Sequence, residues 1–127
     1  MEAAILAVDD DIMVLNALRM QLERNFKEYV LEFAQNVDEA IEVIDQLRGN
    51  SIKLIVIVSD WVMPLKNGDV LAKYVKSIDE NVKVVVLSGK LEESKVESYI
   101  TSNTIDKVIM KPWDEANLMD TIKSVIA

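Results

Sequence analysis

The chain has 127 residues, half of them hydrophobic, and a formal charge of −8 at pH 7. Such a length supports one substantial core and is short for two domains, so a single domain over residues 1–127 is expected. The sequence contains no cysteine and no histidine, which excludes disulfides, thiolate chemistry and nucleophiles paired with histidine. The acidic charge argues against direct binding of nucleic acid or an anionic membrane and favours metal ions or basic partners.

The N-terminal apolar run Ala3–Val8 is too short for a signal peptide or a membrane span. Glu2 also stands where a signal peptide carries positive charge. We therefore expect a cytoplasmic location without membrane association.

Strands and helices are predicted to alternate along the chain. Segments rich in Val and Ile predict five strands, at Ala3–Val8, Tyr29–Ala34, Lys53–Val58, Val82–Leu87 and Ile105–Met110. Apolar residues three or four positions apart predict a helix after each strand. The stripe of the first helix is Val14, Leu18 and Leu22, that of the second is Val37, Ile41, Ile44 and Leu47, that of the third is Leu71, Val75 and Ile78, and that of the fifth is Leu118, Ile122 and Val125. The fourth of the five helices has a sparser stripe, made of Val96, Tyr99 and Ile100.

Local signals predict where some helices begin and end. Asp11 is a candidate N-cap for the first helix. Asn36 followed by Glu39 three residues later resembles a capping box for the second, and Gly49 is placed where a left-handed C-cap is expected.

The alternation predicts an α/β fold with a parallel sheet covered by helices on both faces. The third and fourth strands are almost uninterrupted Val, Ile and Leu, as interior strands require. Glu32 in the second strand, and Asp106 and Lys107 in the fifth, place those strands at the edges. This favours the flavodoxin-like order 2-1-3-4-5 over 3-2-1-4-5, which would leave the apolar third strand at an edge.

The residues that follow the carboxyl ends of four predicted strands are mostly polar, and in a parallel sheet these ends open on one edge where ligands bind. These residues are Asp9, Asp10 and Asp11, then Ser59 and Asp60, then Ser88 and Gly89, and finally Lys111 and Pro112. Carboxylates held this close together repel each other unless a cation intervenes, and an oxygen-only set suits Mg²⁺. A lysine and a hydroxyl opposite a carboxylate can hold a phosphoryl group, and a carboxylate can accept one. The residues therefore predict a magnesium-assisted aspartyl-phosphate site.

Four motifs in order resemble the receiver domains of bacterial two-component response regulators. They are "ILAVDDD" at residues 5–11, "SDWVMPLKNG" at 59–68, "VVVLSGK" at 84–90 and "MKPW" at 110–113. The resemblance covers essentially the whole chain. It implies that Asp60 is the phosphoacceptor and that Asp9, Asp10, Asp60 and the backbone carbonyl of Val62 hold Mg²⁺. It further implies phosphoryl-binding and switch roles for Ser88, Gly89 and Lys111, and a cis Lys111-Pro112 bond.

Three positions depart from the family or vary within it. Receivers usually have Tyr or Phe three residues before the conserved lysine, and that switch position is Val108 here. The aromatic readout is then absent or is carried by another residue. Val62 and Lys90 occupy the positions that tune the lifetime of the phosphoryl group.

By the same resemblance, a sensor histidine kinase or histidine phosphotransfer protein supplies the phosphoryl group, because the chain itself lacks histidine. The domain would act as a signalling switch that catalyses only its own phosphorylation and dephosphorylation. Its output would be a fused or separate effector, with a possible dimer through the fourth helix, fifth strand and fifth helix.

Two other classes of protein remain open at this point. A haloacid dehalogenase-type phosphatase also uses aspartate, lysine and Mg²⁺, but Asp9, Asp11 and Met13 fit its first motif only in part, and Asp60 is left unexplained. A phosphorylation-independent binding module would be expected to lack site residues, and none is missing. Trp61 and Trp113 are expected to be packing or partner-surface residues.

Overall fold

The computed structural model describes residues 2–63, 65–89, 98–100 and 102–127. Its strands are β1 (Ala3–Val8), β2 (Val30–Ala34), β3 (Lys53–Asp60), β4 (Lys83–Ser88) and β5 (Lys107–Met110). Its helices are α1 (Ile12–Asn25), α2 (Val37–Gly49), α3 (Gly68–Ile78), α4 (residues 98–100) and α5 (Glu115–Ile126). Pro64, Val96 of the predicted fourth helix, and Lys90, predicted to tune the lifetime of the phosphoryl group, lie outside the described residues.

The five strands form one parallel sheet in the order β2-β1-β3-β4-β5. This confirms the predicted 2-1-3-4-5 order and places the polar strands β2 and β5 at the edges. β3 pairs with β1 on one side and β4 on the other. The most apolar strand is thus the centre of the sheet.

The side chains of alternate strand residues pack into two separate hydrophobic cores, one on each face of the sheet. In β1, Ala4, Leu6 and Val8 pack on the face covered by α2 and α3. Ile5 and Ala7 pack on the opposite face, covered by α1 and α5. The period of two along the strands matches the helical stripes on each side, because strand side chains alternate between the faces. The two helical layers hold the sheet from both sides and leave its carboxyl edge accessible.

The predicted caps are confirmed at two helices. The Asp11 carboxylate accepts a hydrogen bond from Met13 N at 2.9 Å, and Asn36 Oδ1 accepts one from Glu39 N at 2.8 Å. The Gly49 prediction is wrong, since Gly49 is the last residue of α2 and no described glycine has a positive φ. Ser51, with φ 57°, adopts the left-handed conformation instead.

Two strand ends differ from the predictions in a way that matters for the site. β3 continues through Ser59 and Asp60, and β4 continues through Ser88. Backbone pairing causes the extension, because Asp60 still pairs with Leu87 in the sheet. At the amino ends of the strands, Asp106 lies outside β5, and its carboxylate accepts a hydrogen bond from Val84 N at 2.8 Å.

Across the described part of the chain, the helices lack the combination of length and apolar character that crossing a membrane needs.

Candidate functional site

Four of the predicted site residues meet at the carboxyl edge of the sheet. Asp9 follows β1 directly, Asp60 is the last residue of β3, and Ser88 is the last residue of β4. All three are buried, whereas Asp10 is exposed. Rigid strands flanked by packed helices therefore fix the buried groups, and the exposed aspartate stands at the mouth of the site.

Lys111 extends from the end of β5 to both buried carboxylates. Its Nζ lies 3.1 Å from Asp9 Oδ2 and 3.1 Å from Asp60 Oδ1. The Lys111 backbone N also donates to Ser88 O at 2.9 Å, which ties the lysine to the end of β4. The Lys111-Pro112 bond is cis, as the sequence predicts. One ammonium thus links the ends of three strands.

Asp9 is held in place from several directions. Its backbone N donates to Ala34 O at 3.1 Å, and its Oδ1 accepts a hydrogen bond from Asp11 N at 2.9 Å. Its Oδ2 accepts one from Lys111. Burying an ionised carboxylate is tolerable only with partners of this kind. Asp11 itself serves as the cap of α1 and shapes the turn.

The donor set fits a hard divalent cation. One carboxylate oxygen from each of Asp9, Asp10 and Asp60 lies within 4.8 Å of the others, and these groups could hold a metal ion. Oxygen ligands of high negative charge are the kind that Mg²⁺ prefers. Lys111 supplies one positive charge against three carboxylates. The remaining negative charge is what a divalent cation would neutralise.

The electrostatics of Asp60 reflect this excess of negative charge. Burial, together with repulsion from Asp9, raises the pKa of Asp60 from 3.8 to about 6, although Lys111 opposes the rise. Burial lowers the pKa of Lys111, but attraction to Asp60 and Asp9 outweighs it and leaves that pKa raised. The lysine is therefore firmly charged, while Asp60 ionises at an unusually high pH for an aspartate. A cation in the site would favour the ionised form.

Ser88 and Gly89 form the wall of the site at the end of β4. The buried Ser88 hydroxyl donates to Gly89 O at 3.1 Å. A Cβ placed on Gly89 would meet no described atom within 4 Å. Ser88 and Gly89 thus place a hydroxyl and a backbone carbonyl at the end of β4, beside the end of β3.

The loop after β3 folds tightly back on Asp60. Gly68 N donates to Trp61 O at 2.7 Å, and a Cβ at Gly68 would lie 2.7 Å from Asp60 O. Only glycine allows this approach without a shift of the backbone. Val62, predicted to tune the lifetime of the phosphoryl group, is 47% exposed in this loop. Gly68 therefore shapes the loop between Asp60 and α3.

The predicted switch position, Val108, is half-buried and packs against the core beneath α2 and α3. The same core contains an aromatic pair that the sequence does not predict. Trp61 is buried, and its ring lies 4.9 Å from that of Tyr99 at an interplanar angle of 62°. Trp61 is thus a packing residue. Trp113 is half-buried and donates its indole N–H to Gln21 at 2.8 Å.

Comparison with known proteins identifies the same architecture elsewhere. The chain is 28% identical over 125 residues to the transcriptional regulatory protein ResD of Bacillus subtilis, covering 98% of this chain and 48% of ResD. It is 25% identical over 122 residues to the sensor kinase CckA of Brucella abortus, covering 96% of this chain and 12% of CckA. The receiver domain of AraT, a response regulator from Geobacillus stearothermophilus, superposes with a TM-score of 0.82 at 26% identity, covering 99% of this chain and 94% of that one.

A five-stranded parallel sheet with an acidic cluster and a lysine at its carboxyl edge defines the CheY-like class of signalling domain. The family model of the response regulator receiver domain matches residues 5–123, and the chain belongs to that family. It is a receiver domain of the two-component type rather than a phosphatase of the haloacid dehalogenase class. The chain spans about half or less of the length of the curated relatives it matches.

Proposed function

We propose that residues 1–127 form one receiver domain that accepts a phosphoryl group on Asp60 with Mg²⁺ bound, and that stores it as a two-state signal. The observation that carries the proposal is the position of Asp60. It lies at the end of the central strand, largely buried, near two further carboxylates and 3.1 Å from the ammonium of Lys111. A nucleophile, a candidate metal cluster and a fixed positive charge thus share one edge of the sheet.

Transfer onto Asp60 requires an exposed donor and a positioned acceptor. The P–N bond of a phosphohistidine breaks as a carboxylate oxygen of Asp60 forms the new P–O bond, and the electron pair of the broken bond stays on the imidazole nitrogen. Asp9, Asp10, Asp60 and the backbone carbonyl of Val62 would hold Mg²⁺. When bound, Mg²⁺ neutralises charge on the phosphoryl oxygens, which is the main requirement of such transfers.

Lys111 and Ser88 recognise the product in this proposal. Lys111 Nζ already touches Asp60 and can donate to a phosphoryl oxygen attached there. Ser88 donates to Gly89 O, so its hydroxyl must turn away from that carbonyl to reach the phosphoryl group. When the Ser88 hydroxyl donates to a phosphoryl oxygen instead of to Gly89 O, the chemical state of Asp60 becomes coupled to the loop after β4. Binding energy can then shift the balance between two conformations.

The partners follow from the chemistry of the donor. Because the chain has no histidine, the phosphoryl group comes from a sensor histidine kinase or histidine phosphotransfer protein, or from a small phosphodonor. The output is a fused or separate effector, and a dimer through α4, β5 and α5 is one route to it. The domain catalyses only its own phosphorylation and dephosphorylation, and Val62 and Lys90 tune the rate of dephosphorylation. It acts in the cytoplasm.

Intact mass spectrometry after incubation with Mg²⁺ and acetyl phosphate tests the proposal. One labile phosphoryl adduct is expected on the wild type, none on Asp60→Asn, and none in EDTA. Asp79→Asn, at a carboxylate after α3 and away from the cluster, is the matched control that should keep the adduct. An unchanged adduct on Asp60→Asn contradicts the assignment. If acetyl phosphate fails, a phosphorylated histidine phosphotransfer protein is tried, and failure with both donors overturns the proposal.

A further inference from the structure

The ring of Tyr99 in α4 packs against the ring of Trp61, the residue that follows Asp60. The ring centroids are 4.9 Å apart and the planes meet at 62°, an edge-to-face arrangement. Aromatic pairs of this geometry interact more strongly than their buried area alone provides. The contact joins the loop after the central strand to a helix far away in sequence.

Trp61 is fixed tightly to the site at the level of the backbone. Its N–H donates to Leu87 O at 3.1 Å, next to Ser88, and its carbonyl accepts Gly68 N at 2.7 Å. It is 5% exposed. Any displacement of Asp60 or of the end of β4 therefore reaches the indole through short covalent and hydrogen-bonded paths.

Tyr99 is fixed in turn to the segment that leads into β5. Its carbonyl accepts hydrogen bonds from Thr104 N at 2.9 Å and Ile105 N at 3.2 Å. On its other side, its hydroxyl lies 3.4 Å from Asp69 Oδ2 of α3. Tyr99 is thus in contact with the site loop, with α3 and with the start of the β5 edge.

A cavity of about 290 Å³ lies beside the pair. It is lined by Trp61, Asn67, Asp69, Ser98 and Tyr99. Close-packed interiors rarely leave side chains room to change orientation. The half-buried Tyr99 ring, by contrast, has open space next to it, so it can follow a movement of Trp61 without displacing the core.

We propose that Tyr99 is the positioning residue that transmits the state of Asp60, through Trp61, to the backbone of residues 104–108. This inference rests on the proposed phosphoryl site at Asp60. Val108, the position where an aromatic residue would respond, carries a short aliphatic side chain packed in the same core. The Trp61–Tyr99 contact provides the aromatic connection that position 108 lacks.

The test uses two-dimensional amide NMR of the whole chain with Mg²⁺ and beryllofluoride, a non-covalent analogue of the phosphoryl group. In the wild type, the amide signals of Ser88 and Lys111 are expected to shift on addition, and those of Thr104 and Ile105 to shift with them. In Tyr99→Leu the shifts at Thr104 and Ile105 should fall at least threefold, while those at Ser88 and Lys111 persist. Tyr99→Phe, which keeps the ring, should retain both sets.

Tyr74→Leu is the matched control. Tyr74 is also a half-buried tyrosine that packs against the core beneath α2 and α3, and its hydroxyl donates a hydrogen bond to Asp45. The variant removes a similar ring and should leave all four responses intact. A loss of the Thr104 and Ile105 responses in Tyr74→Leu as well would show a general packing effect and overturn the role of Tyr99.

Tryptophan emission gives a second readout in a Trp113→Phe background, where Trp61 is the remaining indole. In this background, beryllofluoride should change the emission of Trp61 by the same amount whether residue 99 is Tyr or is replaced in Tyr99→Phe. The change in emission should differ in Tyr99→Leu. If Ser88 and Lys111 do not respond in the wild type, the proposed phosphoryl site itself fails. If they respond and Thr104 and Ile105 respond equally in wild type and Tyr99→Leu, only the relay is wrong.

Discussion

Asp9 and Asp60, at the carboxyl ends of neighbouring strands, share a single ammonium group. Lys111 Nζ lies 3.1 Å from Asp9 Oδ2 and 3.1 Å from Asp60 Oδ1. The lysine comes from β5, two strands away from β3 in the sheet. The contact therefore requires the ends of β1, β3 and β5 to be assembled correctly at the carboxyl edge of the sheet. It also holds together two like charges that otherwise repel each other.

Replacing Lys111 with Met should destabilise the metal-free protein. Asp9 is fully buried and would lose its positive partner, so we expect the free energy of unfolding at pH 7.5 to fall by about 1–3 kcal/mol. Mg²⁺ should restore part of that loss. Urea unfolding in EDTA and in Mg²⁺ measures both effects, with the exposed Lys123→Met as control. Equal stability of wild type and Lys111→Met in EDTA would show that the pair contributes nothing.

The same variant separates chemistry from signalling. Lys111→Met should still acquire some phosphoryl adduct, because Asp60 and the candidate metal ligands remain. It should lose the responses of Thr104 and Ile105, because without the ammonium the phosphoryl group no longer moves the strand ends to which Trp61 is hydrogen-bonded, and Trp61 and Tyr99 then have no change to transmit. A full response of those amides in Lys111→Met would refute this division of roles.

Asp60→Asn should stabilise the metal-free protein near neutral pH. The pKa of Asp60 is raised from 3.8 to about 6 in the folded state, so the ionised carboxylate opposes folding above that pH. The full shift corresponds to roughly 3 kcal/mol, and about 1–2 kcal/mol is expected because the site opens to solvent. The wild type should regain stability as pH falls through about 6, and the two proteins should converge near pH 4. Urea unfolding in EDTA across this pH range checks the sign of the effect. A difference in stability between the two proteins that widens on acidification would contradict it.

Asp10→Asn should weaken Mg²⁺ binding by about tenfold or more, since even groups that only support metal ligands contribute on this scale. Asp10 is an exposed member of the three-carboxylate cluster, so its loss should leave the fold intact. Asp11→Asn is the matched control, because Asp11 caps α1 and asparagine caps equally well. Titration of tryptophan emission with Mg²⁺ measures both affinities. Equal losses in the two variants would mean that only the local charge matters.

Most of the fold was accessible from the sequence because apolar periodicity is strong in the three interior strands and in four of the five predicted helices. The order of strands followed from a single physical rule, that charged strands such as the one carrying Glu32 avoid the interior of a parallel sheet. The strand ends did not follow, because Asp60 and Ser88 are held in the sheet by pairing with neighbours rather than by their own hydrophobicity. Gly49 was misassigned for a related reason, since the helix simply includes it and Ser51 makes the turn.

The membership of the site could also be predicted, but its contacts could not. Parallel strands bring their carboxyl ends together whatever their spacing along the chain, which placed Asp9, Asp60, Ser88 and Lys111 at one edge. The double contact of Lys111 and the packing of Trp61 on Tyr99 depend on side-chain positions in the folded state. No local pattern encodes them. The missing aromatic at Val108 was a signal that a contact elsewhere should be sought.

Gly68→Ala and Gly49→Ala form a pair that tests how closely α3 approaches the site. A Cβ at Gly68 would lie 2.7 Å from Asp60 O, whereas one at Gly49 meets nothing within 4 Å. Gly68→Ala should therefore lower the free energy of unfolding by about 1–3 kcal/mol and slow the acceptance of a phosphoryl group. Gly49→Ala, at the last residue of α2, should raise it by no more than about 0.5–1 kcal/mol. Equal effects of both variants would contradict the close approach.

The central claim is that Asp60 is the residue that carries the phosphoryl group. The most direct measurement treats the phosphorylated protein with borohydride, which reduces an acyl phosphate on aspartate to homoserine, and then locates the reduced residue by peptide mass spectrometry. We predict homoserine at position 60 only, dependent on Mg²⁺ and absent without a phosphodonor. Homoserine at position 9 or 10, or a phosphoryl adduct that resists borohydride, would contradict the account.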